Sequence, residues 1–255
     1  MSDMQQMSMG AWTLLLACAT SFAGALIGLS CAARARRERG RRVAVLWTAG
    51  AAVAIGGVAI WLMHFIAMYG FAVDGSPVRY SVGLTVLSAV VSIGVVGLGL
   101  SLVTLRRSTG SRLLCAGALT GIGVAFMHYL GMAAVRFQGD IVYDPLLVAL
   151  SLVVAVVAAT AALWFTMVVR TTPARLGAGA AMAVAVTGMH YTGMAAVHVV
   201  MIPARSVPAA VDGFDLVFPV FLVSGLVIAG LQWALFTTGE PGETRRRPLA
   251  GHSGP

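Results

Sequence analysis

Residues Leu113 to Val135 read LLCAGALTGIGVAFMHYLGMAAV. The run is long enough to cross a bilayer, since a spanning helix needs about 20 mostly apolar residues. Inside it stands a histidine flanked by methionines, Met127-His128-Tyr129-Leu130-Gly131-Met132. Two near-copies lie at almost equal distance before and after it: Met63-His64-Phe65-Ile66-Ala67-Met68 and Met189-His190-Tyr191-Thr192-Gly193-Met194. Ionisable side chains in hydrocarbon are rare and point to function by default. Three of them in one repeated setting predict a repeated fold around a shared site.

Six more apolar runs surround this one, at about 11–33, 43–71, 81–105, 146–169, 176–200 and 216–237. With 59% hydrophobic and only 10% charged residues, the 255-residue chain reads as a multi-pass membrane protein, not a soluble domain. The formal charge of +8 does not point to nucleic acid, because the arginines cluster in the short gaps between apolar runs. Arg34, Arg36, Arg37, Arg39, Arg41 and Arg42 fill the first gap; Arg106, Arg107 and Arg112 follow, then Arg170 and Arg175, then Arg245 to Arg247. The alternate gaps hold only Arg79, Arg136 and Arg205, with most of the acidic residues. The positive-inside rule then predicts seven spans with the amino terminus outside and the carboxyl terminus in the cytoplasm. The first run is a retained span, since its basic cluster follows it, the reverse of a signal peptide's charge order.

The expected fold is therefore all-α, with seven transmembrane helices. The first six form three two-helix repeats and the seventh is an addition. Tyr80 and Leu87-Ser88 recur as Tyr143 and Leu150-Ser151, so the repeat extends beyond the motif. Repeated membrane units place their site where they meet. Residues 1–238 make this membrane domain, and the polar, Gly-, Pro- and Arg-rich stretch 239–255 reads as a disordered cytoplasmic tail.

Under this topology the three motifs share one depth, roughly 10 Å below the outer surface at helical rise. A histidine and the methionine four residues on share a helix face, so His64 pairs with Met68, His128 with Met132 and His190 with Met194. Met63, Met127 and Met189 stand a quarter-turn away, within reach of the same site or of a neighbouring helix. Three imidazoles and several thioethers form an uncharged ligand set. Soft thioether sulfur favours copper(I), while imidazole suits copper, zinc and iron. Copper is the leading expectation, with haem iron between two of the histidines as the alternative. A copper conduit would need ligands at several depths, and a purely structural set of histidine struts is the plainest alternative. His198, four residues after Met194, would extend the same helix face as an outer ligand or an interfacial residue. Gly131 and Gly193, like the pairs Gly24 with Gly28 and Gly117 with Gly121, read as close-packing positions. Cys18, Cys31 and Cys115 match no metal or redox spacing and read as packing residues. No Ser-His-Asp set, phosphate loop or intramembrane carboxylate pair is present, so no enzymatic activity is expected.

Met189-His190-Tyr191-Thr192, the two sister motifs and the span entry Tyr143-Asp144-Pro145 make the chain resemble the MHYT domain family along almost its whole length. That resemblance implies an inner-membrane sensory domain with its motifs at the outer face of alternate helices. It also implies a bound metal, with copper the proposed ion, through which oxygen, carbon monoxide or nitric oxide is sensed. Carried onto this chain, the matching positions are Met63, His64, Met68, Met127, His128, Tyr129, Met132, Met189, His190, Tyr191 and Met194. The first repeat departs from the pattern at Phe65 and Ala67. Many relatives of this kind continue into output domains; the expectation here is a separate cytoplasmic or membrane signalling partner.

Overall fold

In the computed structural model, residues 4–5, 10–105, 109–206 and 209–238 are described. The tail over 239–255, with Arg245 to Arg247, and Arg106 and Arg107 lie outside them. Apolar runs become helices in the expected order: α1 (Ala11–Arg37), a long second span made of α2 (Arg41–Ala52), a π-helix (Val53–Leu62) and α3 (Met63–Tyr69), then α4 (Val82–Thr104), α5 (Gly110–Ala134), α6 (Pro145–Val168), α7 (Thr172–Ala195) and α8 (Gly213–Thr237). By length and composition, 6 of these spans are apolar enough to cross a membrane. The other, α7, has the necessary length, but its Thr, Gly and His residues lower its apolarity. The molecule is thus mostly helical, with six to seven apolar helices suited to membrane spans.

Local sequence sets the helix starts. Asp144 accepts hydrogen bonds from the backbone N–H groups of Leu146 (2.8 Å) and Leu147 (3.1 Å), with Pro145 at the first helical position. Thr109 and Thr171 cap α5 and α7 in the same way. Small residues set the helix separations, as the small-xxx-small pairs predict. A side chain at Gly24 would meet the backbone of Ala54 and Ala59, and one at Gly121 the backbone of Ala155 and Val156. The main apolar core runs down the middle of the bundle through Ala25, Ile55, Leu100, Ala116 and Met182.

The all-α expectation needs one correction, because the loops at one end of the bundle are paired as short strands. β1 (Met4–Gln5) pairs with β2 (Ala72–Val73), β3 (Arg79–Tyr80) with β4 (Val135–Arg136), and β5 (Gly139–Tyr143) with β6 (Val197–Met201), all antiparallel. Each ladder joins the strand entering a helical hairpin to the strand leaving it, so the repeat unit is strand, two helices, strand. β7 (Val211–Asp212) adds to the free side of β3. Backbone groups that leave a helix at a membrane surface need partners, and these ladders supply them. The expected sixth span was too long: α7 stops at Ala195, and Val197 to Met201 continues as a strand with Val197 and Val199 buried. His198 therefore does not extend the helix face of His190 and Met194. It sits on β6 opposite Val142, exposed.

Among the described residues, the arginines of the basic gaps lie at the opposite end. There the Arg34 guanidinium pairs with Glu38 at 3.0 Å and lies 5.7 Å from the Trp47 ring, while Arg175 reaches Ser30 at 3.4 Å. At the strand end, Arg205 donates to both carboxylate oxygens of Asp140, at 2.7 and 3.3 Å, and this holds the Asp140 carboxyl below its ordinary pKa.

Because overpacking costs about 1–3 kcal/mol, Gly24→Val should lower the thermal unfolding midpoint of the detergent-purified protein. Gly83→Val, where an added side chain meets nothing, should leave the midpoint unchanged. Equal midpoints would contradict the close approach of α1 to the second span.

Candidate metal centre

Each motif sits at the strand end of the second helix of its hairpin: His64 on α3, His128 on α5 and His190 on α7. The repeat therefore delivers the three imidazoles to one level, and the bundle turns them inward. They are 4%, 1% and 1% exposed. Nδ1 of His64 lies 3.1 Å from Nδ1 of His190 and 3.3 Å from Nδ1 of His128. The ring centroids form a near-equilateral triangle with sides of 5.0, 5.1 and 5.1 Å, each pair edge-on at 76–85°. One ligand nitrogen from each ring lies within 4.8 Å of the others.

Protons alone do not satisfy this arrangement. The Nδ1 of a neutral imidazole carries either one N–H or one lone pair. The Nδ1 of His64 faces two other Nδ1 atoms and can make one good hydrogen bond, not two. A single cation satisfies all three lone pairs at once. Three nitrogens bound at about 2.0 Å in near-tetrahedral directions stand about 3.3 Å apart, which matches the spacing found. The residues present fit one metal ion. They do not fit a haem, because axial imidazoles approach a flat macrocycle from opposite faces, and these rings converge in one pocket with no such gap between them.

The glycines of the motif have a role beyond general packing, and it passes from one repeat to the next. A side chain at Gly131, in the second repeat, would strike the imidazole of His64, in the first; one at Gly193, in the third, would strike His128, in the second. Each glycine thus leaves the space into which the preceding repeat's ring fits. Nε2 of His128, packed against Gly193, is buried with no hydrogen-bond partner among the described residues. The equivalent position in the first repeat is Ala67, which is 3% exposed.

The two methionines of each motif lie in different surroundings. Met68, Met132 and Met194 are 2%, 0% and 2% exposed and belong to one cluster at the strand end, with Phe71, Tyr80 and Phe137. Met68 and His64 also line a common small cavity. Met127 and Met189 belong instead to the central apolar core, and Met63 packs with Ala17, Val58 and Ile66.

Two polar layers steady this arrangement. The Tyr80 hydroxyl donates to the Met68 carbonyl at 2.8 Å, and burial raises its pKa, keeping the donor protonated. Tyr143, its counterpart in the next repeat, is pushed up to about 12 by burial and by Tyr129. The serines of the repeat each hold an aromatic side chain from the motif helix. Ser88 accepts from the Trp61 indole at 2.9 Å, and Ser151 meets the Tyr129 hydroxyl at 2.7 Å. Sequence reading singled out Ser88 and Ser151 only as repeat markers. Trp61 it missed altogether, although it stands one helical turn before His64.

The chain is similar to known signalling proteins. The family model MHYT, described as a bacterial signalling protein N terminal repeat, matches residues 57–116 and 121–179. Those segments open at Gly57 and Gly121, in register with Met63 and Met127. A bifunctional diguanylate cyclase/cyclic di-GMP phosphodiesterase, MucR of Pseudomonas aeruginosa, is 40% identical over 191 residues, covering 73% of this chain and 27% of that protein. An uncharacterized signaling protein of Caulobacter vibrioides is 32% identical over 219 residues, covering 85% and 26%. The signaling protein YkoW of Bacillus subtilis is 30% identical over 193 residues, covering 72% and 23%. The chain spans about a quarter of the length of these relatives. No solved structure matches it.

Gly131→Ala and Gly193→Ala should each displace an imidazole, at about 1–3 kcal/mol of overpacking. Both variants should unfold earlier than wild type and hold less metal, measured by thermal unfolding and elemental analysis. Wild-type metal content in both would contradict the contact of each glycine with the preceding ring.

Proposed function

Because this chain belongs to the MHYT family, we propose that it is the membrane sensory unit of a signalling system, holding one metal ion between His64, His128 and His190. The placing of the buried His64 Nδ1 at 3.1 Å from that of His190 and 3.3 Å from that of His128 carries this reading. Copper is the ion we assign. Imidazole and thioether are both neutral donors, they suit the cuprous state, and Met68, Met132 and Met194 are the thioethers one helical turn from the histidines. Met63, Met127 and Met189 are the more distant candidates, since their neighbours are core residues.

A bound copper(I) ion would supply an open coordination position for a small ligand such as oxygen, carbon monoxide or nitric oxide. The protein's part is to hold three imidazoles in fixed directions, to keep bulk water out, and to tie each ring to a different hairpin. A change in coordination then moves hairpins relative to one another. The output passes to a cytoplasmic or membrane partner. MucR is named for cyclic di-GMP chemistry, which makes that messenger the first output to assay.

The chain is a multi-pass membrane protein, and we orient it with the strand end outside and the arginine end in the cytoplasm, from the arginine asymmetry. In a variant lacking native cysteines, Val200→Cys should react with a membrane-impermeant maleimide in intact cells, and Thr171→Cys only after lysis. The opposite labelling would reverse the orientation.

Elemental analysis should find copper in the purified wild-type protein and none in the variant combining His64→Ala, His128→Ala and His190→Ala. Equal copper in both would reject the site, and a Soret band would reinstate haem.

A further inference from the structure

His64 occupies a special place in the triad. It lines a cavity of about 10 Å³, bounded also by Trp61, Met68, Thr85, Ser88 and Gly131. Trp61 and Thr85 belong at the same time to a second, larger cleft of about 410 Å³ between the π-helix, α4 and α8. The cleft's lining is almost entirely apolar. Val86, Val90 and Val223 on its walls are 55%, 60% and 59% exposed at the bundle surface. In a membrane that surface faces acyl chains. Val82 and Leu216 lie near the strand-end starts of α4 and α8, so the cleft is at the level of the histidines.

Three features keep this side of the bundle open. Pro219 lines the cleft inside α8; it lacks an N–H and crowds the carbonyl one turn back. Gly57 borders the cleft and adds no side chain to it, while Gly56 beside it lets the α4 backbone approach closely. A ten-residue π-helix is itself unusual, and π segments recur at functional sites. Between the two spaces stands the Trp61 indole. It is pinned by its hydrogen bond to Ser88 and stacked on Phe65 at 5.8 Å.

We propose that this cleft is a lateral entrance from the bilayer to the metal centre, used by a small uncharged molecule that dissolves in lipid, with Trp61 as its gate. The inference rests on the metal-centre reading given above. An apolar entrance excludes hydrated ions and polar metabolites, because nothing in its lining replaces their hydration. The inner cavity has room for about one water-sized molecule, which limits the visitor to diatomic dimensions. The hydroxyls of Ser88 and Thr85 are engaged with Trp61 and with backbone carbonyls, so the passage offers a visitor no strong polar trap before His64.

The test uses the full chain in lipid nanodiscs with two readouts. In copper(I)-loaded protein, carbon monoxide rebinding after photolysis is followed by its infrared stretch. In metal-free protein with Trp12, Trp47, Trp164 and Trp233 replaced by Phe, oxygen quenching of the remaining Trp61 fluorescence is measured. Ala89→Phe, which fills the cleft from α4, should slow rebinding several-fold and reduce quenching, with metal content unchanged. Trp61→Ala should speed rebinding several-fold. Carbon monoxide binding with rates and quenching indifferent to Ala89→Phe would overturn the entrance and leave the metal centre standing. Copper-loaded protein that takes up no carbon monoxide would overturn the entrance and, with it, the reading of the bound copper as a site for small ligands.

Discussion

Three imidazole nitrogens directed at one point inside an apolar bundle are the constraint to which the rest of this structure answers. A buried polar group left without a partner costs about 1–3 kcal/mol by protein mutational measures, and here three ring nitrogens have only one another to bond with. The fold does not dilute this conflict. It removes side chains at Gly131 and Gly193 so the rings fit, buries all three behind methionines, and brings each from a separate hairpin. Removing one ring would leave the other two aimed at an empty place. A triad of this kind makes sense as a ligand set.

The repeats interlock in sequence along a single chain. Each repeat supplies a ring and, in two of the three cases, a glycine that accommodates the ring of the repeat before it. The first repeat breaks the pattern three times. It has Ala67 where the others have glycine, Phe65 where they have tyrosine, and a π-helix leading into its motif. The same repeat carries the histidine that borders the small cavity beside Trp61. Three chemically alike imidazoles are thus held in unlike surroundings, and His64 is the one that a visitor entering by the proposed route would meet.

Much of this was legible in the sequence, for physical reasons. Apolar runs and arginine gaps are imposed by the bilayer, so the helices and their order follow from composition. The repeat of Met-His pairs required equivalent depth and predicted convergence. The small-residue pairs at Gly24 and Gly121 marked close helix contacts. Features that depend on neighbours were not legible. Val197 to Met201 looked like the end of an apolar helix, yet its alternating burial arises only because β5 lies beside it, and this moved His198 off the helix. The π-helix has no distinctive residue pattern beyond a glycine pair. The separation of Met63, Met127 and Met189 from Met68, Met132 and Met194 follows from which helices surround them, which spacing along one helix does not reveal.

The strand ladders also decide where the molecule is able to spread. Each helical hairpin is stapled across its own entry and exit, and every link from one hairpin to the next crosses that same end. At the far end the hairpin tips are held by side-chain contacts such as that of Arg175 with Ser30 at 3.4 Å. Between the hairpins the apolar core runs on to that end through Ala35, Trp47, Val103 and Val169, so each hairpin is braced along its length. In the orientation proposed above, a shift of one hairpin at the stapled end would be carried as a rigid displacement to its arginine-bearing tip.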